Sequence, residues 1–120
     1  MITLSKSETI KNILHKGKKK VFPDFIVIYR ENNLNYPRFA FIVSKKVSKR
    51  AVDRNRAKRL LKELVRKYFG LISGKGFDII FIARKSILSK KLQNLEPEFF
   101  NFLKDLNNDS KAINQAYNSL

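Results

Sequence analysis

The chain has 120 residues and a formal net charge of +16, from 26 lysines and arginines set against 10 aspartates and glutamates. This length has room for one domain, and a hydrophobic content of 43% is ordinary for a folded protein. The charge stores self-repulsion that a densely anionic partner would offset, so nucleic acid is the expected partner and anionic membrane the weaker candidate. The lack of cysteine and the single histidine exclude a disulfide framework, thiol chemistry and a Cys/His zinc site.

The hydropathy pattern shows neither a secretory signal at the start nor a run approaching the roughly 20 apolar residues of a membrane span. We therefore expect a cytoplasmic protein. The single histidine, His15, lies among lysines near a predicted helix end, and we interpret it as a solvated helix residue rather than a catalytic base.

The first helix is predicted at about Lys6 to Lys16. Ser5 and Glu8 have the spacing of a capping box, and apolar residues follow at helical spacing. Gly17 is placed to end the helix in a left-handed conformation.

Two strands are predicted at residues 25–29 and 38–43, because both stretches are β-branched and aromatic and a loop of Asn and Pro residues separates them. We expect them to be adjacent and antiparallel. Alternation along the second strand puts Phe39, Phe41 and Val43 on one face and the smaller Ala40, Ile42 and Ser44 on the other. The smaller face indicates that another part of the molecule, or a ligand, approaches it closely.

The longest helix is predicted from about residue 51, with a possible short strand around Val47 just before it. Its apolar stripe comprises Ala57, Leu60, Leu61, Leu64, Val65 and Tyr68, while basic residues occupy the outer side. Residues 77–83 form an almost continuous apolar run, which predicts a central strand covered on both faces.

A last helix is predicted with Pro97 in its first turn and an apolar stripe of Phe99, Phe102, Leu103 and Leu106. We interpret residues 1–106 as a single domain and residues 107–120 as a polar tail that is frayed or partly helical. The predicted fold class is α+β, a single sheet with helices packed on it, in the order helix, strand, strand, possible short strand, helix, strand, helix.

The segment from residue 44 to residue 67 carries eleven lysines and arginines and two acidic residues, so it holds most of the net charge. An arginine fork grips two phosphate oxygens at once, lysine adds a mobile charge, and a helix amino terminus adds positive potential. The candidate phosphate-binding residues on the helix are Arg54, Asn55, Arg56, Lys58, Arg59, Lys62 and Arg66. Those in the loop before it are Ser44, Lys45, Lys46, Lys49 and Arg50.

The string SKKVSKRAVDRNRAKRLLKE, residues 44–63, resembles the RNR signature of the protein subunit of bacterial ribonuclease P. The strands YPRFAFIVSKK before it and FDIIFIARK after it also fit that family. The resemblance implies a fold like the second domain of ribosomal protein S5, with a rare left-handed crossover through the RNR helix. It also implies that an RNA subunit performs the Mg²⁺-dependent removal of the 5′ leader from precursor tRNA, and that magnesium is bound mainly by that RNA.

By the same resemblance, the RNR helix contacts the catalytic RNA and approaches the precursor tRNA, while a cleft between the first helix and the open sheet face binds the leader. The implied cleft residues are Ile10, Leu14, Tyr29, Ala40 and Ile42, with Phe25 as an alternative to Tyr29. Ile10 and Leu14 stand where the family usually has two phenylalanines. This departure implies a grip on the leader that is weaker or that depends on Tyr29 and the lysines, because an aliphatic side chain supplies only part of the free energy of base stacking by apolar contact. The resemblance implies no protein partner and no membrane.

Other functions remain open at this point. A non-catalytic ribosomal or other RNA-binding protein of similar fold would share the basic helix without the leader cleft. A protein-only nuclease would need clustered carboxylates to hold metal, and the basic region contains no acidic pair. A membrane-surface role for the basic helix would require its apolar stripe, which the core also needs.

Overall fold

The computed structural model describes residues 1–118, with side chains described for residues 1–109. Its sheet contains the strands β1 (Ile2–Thr3), β2 (Lys18–Val21), β3 (Phe25–Glu31), β4 (Arg38–Ile42) and β5 (Phe77–Ala83). The helices are α1 (Ser7–Lys16), α2 (Ala51–Lys67) and α3 (Leu92–Asn118), with 3₁₀ turns at Phe69–Leu71 and Lys85–Ser89. The predicted α+β class is confirmed.

Strand β5 lies at the centre of the sheet, whose order is β1-β4-β5-β3-β2. It pairs antiparallel with β3 and parallel with β4. The prediction that β3 and β4 are adjacent and antiparallel is therefore wrong. Because its residues are almost all apolar, β5 takes the central position, which is covered on both faces, and it lies between β3 and β4. The central position predicted for β5 is confirmed.

The parallel strands β4 and β5 are joined through α2, which makes this connection a crossover. The resemblance implied a left-handed crossover at this point in the chain, and its hand and the likeness to ribosomal protein S5 stay predictions. A consequence of the parallel pairing is that the loop after β4 and the segment after β5 leave the same end of the sheet.

The sheet has two unequal cores. On one face, the side chains of α2 and α3 pack with those of β3, β4 and β5 around the buried Phe39, Phe81 and Phe102. On the other face, α1 places Ile13 against a smaller cluster, which consists of Ile28, Ala40 and Ile80. The alternation predicted for β4 is confirmed, because Phe39 and Phe41 face the larger core while Ala40 and Ile42 face α1.

Strands β1 and β2 were not predicted from sequence. Strand β1 is two residues long, and β2 reads KKKV, whose lysines disfavour an interior strand but are typical of a sheet edge. The short strand predicted near Val47 is wrong, since Val47 is buried in a turn in which its N–H donates to the carbonyl of Ser44 at 3.0 Å.

Helix α1 confirms the predicted first helix and its extent to within one residue, but not the predicted caps at its two ends. Lys6 is the N-cap and makes no side-chain capping bond, so the capping box of Ser5 and Glu8 is wrong. Gly17 has φ −72° and ψ 161°, so it is extended and not left-handed. Its lack of a side chain matters for a steric reason, because a Cβ there would lie 2.5 Å from the carbonyl oxygen of Ile13 and 2.7 Å from Cγ2 of Ile28.

Helix α3 begins at Leu92, so the prediction that Pro97 lies in its first turn is wrong. The side chain of Asn94 accepts a hydrogen bond from the N–H of Lys91 at 2.9 Å, and Leu95 is buried in the core, which extends the helix upstream of the proline. The predicted stripe from Phe99 to Leu106 is buried.

The helix continues to Asn118, through most of the predicted tail, and residues 119–120 lie outside the described residues. The domain boundary at residue 106 stays a prediction, although Asp109 beyond it bonds to Tyr29 of the sheet. No helix within residues 1–118 is both long enough and apolar enough to cross a membrane.

Replacing Gly17 by alanine is expected to destabilise the protein by about 1–3 kcal/mol, because the new methyl group has to displace α1 from β3. Gly74→Ala is the matched control, since a Cβ there meets no atom within 4 Å and the change is expected to be neutral or slightly stabilising. Urea unfolding of both variants measures the difference. Equal stability of Gly17→Ala and the unmodified protein would contradict the close approach of α1 to the sheet.

Candidate nucleic-acid interface

Helix α2 has an apolar side in the core and a basic side toward solvent. Its buried residues are Ala57, Leu60, Leu61, Leu64 and Val65, which confirms the predicted stripe as far as the helix extends. The opposite side, called the basic face of α2 from here on, is exposed or half-exposed and comprises Arg54, Asn55, Arg56, Lys58, Arg59, Lys62 and Arg66. The predicted candidate residues therefore share one surface.

The loop between β4 and α2 continues this surface at the amino end of the helix. Val43 and Val47 are buried and fix the loop to the core. The candidate residues between and beyond these two valines are exposed, namely Ser44, Lys45, Lys46, Lys49 and Arg50. The loop thus presents its lysines to solvent from a backbone held at two points.

Arg54 holds this loop against the helix. Its Nη1 donates to the carbonyl oxygens of Ser48 at 3.0 Å and Lys49 at 2.8 Å. The hydroxyl of Ser48 donates to Asp53 Oδ2 at 2.9 Å and accepts a bond from the N–H of Arg50 at 3.1 Å. In the free protein, the arginine therefore bonds to backbone carbonyls.

Arg56 makes a corresponding bridge between α2 and a different part of the chain. Its Nη2 donates to the carbonyl oxygen of Lys90 at 2.9 Å, and its Nη1 lies 3.4 Å from the carbonyl oxygen of Leu88. Both carbonyls belong to the segment that follows β5. The two arginines of the RNR string thus each tie a different chain segment to the same helix.

A groove of about 240 Å³ lies beside the basic face of α2, between β1, α1 and β4. It brings together three residues of the predicted leader cleft, Ile10, Ala40 and Ile42, with Lys58 and Lys62 of α2. Its other lining residues are Thr3, Leu4, Phe39 and Phe41. The ammonium of Lys62 lies 6.0 Å from the centroid of the Phe41 ring, at the limit of a cation–π contact.

The groove also exposes backbone. Strand β1 pairs with β4 only at Arg38 and Phe39, and the N–H of Leu4 donates to the carbonyl of Phe39 at 2.6 Å. Alternate residues of a strand direct their N–H and C=O groups to the same side, so those of Phe41 face the unpaired edge at the groove.

Tyr29 does not belong to this groove, and its predicted place in the leader cleft is wrong. It is 2% exposed, packs edge-to-face on Phe77 and Phe102 in the larger core, and donates its hydroxyl hydrogen to Asp109 Oδ2 at 2.6 Å. Burial and the neighbouring carboxylate of Asp109 raise the pKa of the Tyr29 hydroxyl well above its ordinary value. Phe25 shares this face, because it lies four residues away along the strand.

The residues of β3 that face α1 are Ile26 and Ile28. Because side chains alternate between the two faces of a strand, Ile26 and Ile28 could have been assigned to this face from the sequence once the face of one β3 residue was known. Leu14 is 36% exposed on α1 and does not line the groove. The structure therefore brings together three of the five predicted cleft residues.

The lysines after α1 divide into two groups. Lys18 forms an ion pair with Asp109 at 3.0 Å, and Lys20 lies 3.7 Å from Asp105. Lys19 is exposed and has no ion pair within the described residues. Two of the three lysines of β2 thus face α3, a pairing that only the tertiary structure reveals.

A mixed five-stranded sheet with a crossover helix whose exposed side is lined by arginine and lysine is typical of a small RNA-binding protein. A family model, Ribonuclease P, matches residues 2–107. The ribonuclease P protein component of Syntrophomonas wolfei is 37% identical over 98 residues, covering 82% of this chain and 81% of the relative. That of Dehalococcoides mccartyi is 43% identical over 93 residues, covering 78% of this chain and 74% of the relative.

Solved structures agree with the sequence comparison. The ribonuclease P protein from Thermotoga maritima superposes with a TM-score of 0.76 at 28% identity, over 88% of this chain and 97% of that one. The protein from Staphylococcus aureus gives a TM-score of 0.75 at 27% identity, over 87% and 94%. The chain belongs to the ribonuclease P protein component family. Membership gives it an RNA-binding role in tRNA processing, within an endoribonuclease complex that contains RNA.

Replacing Tyr29 by phenylalanine is expected to cost about 1 kcal/mol of stability, because the buried hydroxyl loses its bond to Asp109. Affinity for precursor tRNA is expected to stay unchanged, since the ring lies in the larger core, on the face of the sheet opposite to α1. Tyr36→Phe is the matched control, as that ring is 38% exposed. A variant with unchanged stability and weaker precursor binding would instead place Tyr29 in the RNA site.

Proposed function

We propose that this chain is the accessory protein of a ribonuclease P in which the RNA subunit performs the hydrolysis. The protein binds that catalytic RNA and the 5′ leader of precursor tRNA, and so assists the endonucleolytic maturation of the tRNA 5′ end. Its proposed partners are therefore the catalytic RNA and the precursor tRNA, and its proposed location is the cytoplasm. The observation that carries the proposal is the position of the groove directly beside the basic face of α2.

The basic face of α2 and the loop before it are proposed to dock on the catalytic RNA. The side chains concerned are exposed, positively charged and mounted on a helix whose other side is buried in the core. Such a surface is rigid before binding, so little conformational freedom is lost when phosphates are neutralised. Glu63 is the one acidic residue on α2 outside its first turn, so the charge on this surface is almost undiluted.

The groove is proposed to hold part of the single-stranded leader. Ile10, Ala40 and Ile42 offer an apolar floor for a base, while Lys58 and Lys62 stand at the rim where a backbone phosphate would lie. The unpaired backbone groups of Phe41 add a donor and an acceptor suited to a ribose hydroxyl. A duplex buries its bases in stacked pairs, so this combination favours a single strand.

Magnesium is proposed to be bound mainly by the RNA subunit, whose phosphate oxygens are the hard ligands that this ion prefers. Within the described residues, no three His, Asp or Glu side chains are grouped so that they could hold a metal ion. The contribution of this chain is then to bind and orient RNA and to neutralise phosphate charge near the cleavage site.

The proposal is tested by cleavage of a precursor tRNA with a bacterial catalytic RNA at low Mg²⁺, with and without the protein. We expect faster cleavage with the protein, because it supplies phosphate-neutralising charge that Mg²⁺ must otherwise provide. A leaderless tRNA measures binding that does not involve the leader. No enhancement of cleavage would contradict the proposal and favour a non-catalytic RNA-binding protein.

Replacing Ile10 by phenylalanine is expected to tighten binding of precursor tRNA by up to about tenfold, because an aromatic ring in the groove can stack on a leader base. Binding of mature tRNA should not change. Leu71→Phe is the matched control, since Leu71 is 57% exposed on the 3₁₀ turn after α2 and away from the groove. Equal effects of Ile10→Phe on precursor and mature tRNA would show that the groove does not hold the leader.

A further inference from the structure

The segment from Arg84 to Lys91, called the post-β5 segment here, forms a second basic element beside α2. It contains four basic residues and no acidic residue. Arg84, Lys85 and Lys91 are exposed, whereas Lys90 is half-buried with its ammonium 4.0 Å from Asp24 Oδ1. The exposed charges of the segment are therefore those of Arg84, Lys85 and Lys91.

Sheet topology places this segment next to the loop that precedes α2. Ile42 of β4 pairs in parallel with Ile82 of β5, so the carboxyl ends of both strands lie at the same end of the sheet. The chain then continues into residues 44–50 on one strand and into residues 84–91 on the next. Two basic segments that are about forty residues apart in sequence thus leave the sheet side by side, and Arg56 of α2 bonds to the second of them.

The post-β5 segment is held from several sides. Ile87 is fully buried in the larger core, and Arg84 and Ser86 donate to the carbonyl oxygens of Phe22 and Pro23, both at 2.9 Å. On the side of α2, the guanidinium of Arg56 bridges the carbonyl oxygens of Leu88 and Lys90. A segment anchored in this way presents Lys85 and Lys91 from a fixed backbone.

Lys85 and Lys91 differ from four other lysines of the protein in the lack of an ion-pair partner. Lys18, Lys20, Lys67 and Lys90 each have a carboxylate within ion-pair distance. Within the described residues, Lys85 and Lys91 have none, as is also true of Lys45, Lys46 and Lys49 in the loop before α2. Lysines without an ion pair within the described residues also occur elsewhere, as Lys19, Lys75 and Lys104 show, but those of these two segments adjoin the basic face of α2. An RNA backbone is the partner whose charge density matches that continuous surface.

We propose that Lys85 and Lys91 contact phosphates of the catalytic RNA and extend the docking surface beyond α2 and its preceding loop. Arg56 is then a positioning residue, which acts by fastening the post-β5 segment to α2. This inference rests on the proposed function, because it concerns the same docking surface.

The first test is the salt dependence of binding to the isolated catalytic RNA by the double variant Lys85→Ala/Lys91→Ala. Loss of two phosphate contacts is expected to weaken binding and to make the slope of log affinity against log salt shallower by about 1.5. Lys75→Ala/Lys104→Ala removes the same charge, from the loop before β5 and from α3, and is expected to change the slope far less. Circular dichroism confirms that both variants fold.

The outcomes separate this inference from the function on which it rests. If the unmodified protein neither binds the catalytic RNA nor accelerates cleavage, the proposed function fails. If it does both and the two double variants bind alike, the role of Lys85 and Lys91 is overturned while the proposed function stands.

The second test separates a positioning role of Arg56 from a simple phosphate contact. Arg56→Lys keeps the charge but cannot bridge two carbonyls with a planar fork. Hydrogen exchange is expected to accelerate at the amides of Ile87 and Lys90, which bond within the segment, and RNA affinity is expected to fall. Arg30→Lys is the matched control, because Arg30 is exposed on β3, makes no side-chain hydrogen bond within the described residues and lies outside the basic face of α2. If either the exchange or the affinity of Arg56→Lys equals that of the unmodified protein, Arg56 is not a positioning residue.

Discussion

The central position of β5 is the constraint on which the rest of the structure depends. Strand β5 is buried along most of its length and pairs with β3 on one side and β4 on the other. Parallel pairing with β4 requires a long connection, and α2 provides it. The basic helix is therefore the connection between β4 and β5 and an integral part of the fold. Its buried side packs against the aromatic core, and its other side has to face solvent.

The same constraint gives the two faces of the sheet different coverage. The larger core needs α2 and α3 to cover one face of the sheet, whereas the single helix α1 covers only part of the other. Strand β1 is too short to pair along β4 beyond Phe39, so an edge and an apolar floor stay open where α1, β4 and α2 meet. The groove thus arises from incomplete coverage, and its position beside the lysines of α2 follows from the β4–α2 connection.

Sequence patterns predicted the parts of the fold that are governed by local periodicity. The extents of α1 and α2, the central place of β5 and the two faces of β4 all follow from the spacing of apolar residues. Strand partners do not follow from such patterns, because pairing is decided by burial over the whole sheet. The two cleft assignments on β3 failed for a related reason, as Tyr29 is aromatic like a base-stacking residue but belongs to the face that α3 covers.

The hydrogen bonds of the arginines in the RNR string could not be predicted from the sequence pattern, although the composition explains why they form. With 26 basic and 10 acidic residues, carboxylates are too few to pair with most of the cations. Arg54, Arg56 and Arg84 instead donate to backbone carbonyls, which are neutral acceptors. Such bonds order the loops around α2 without cancelling any positive charge. The loops around α2 are therefore held in place while the repulsion among the basic side chains persists, and phosphates at the proposed docking surface would relieve that repulsion.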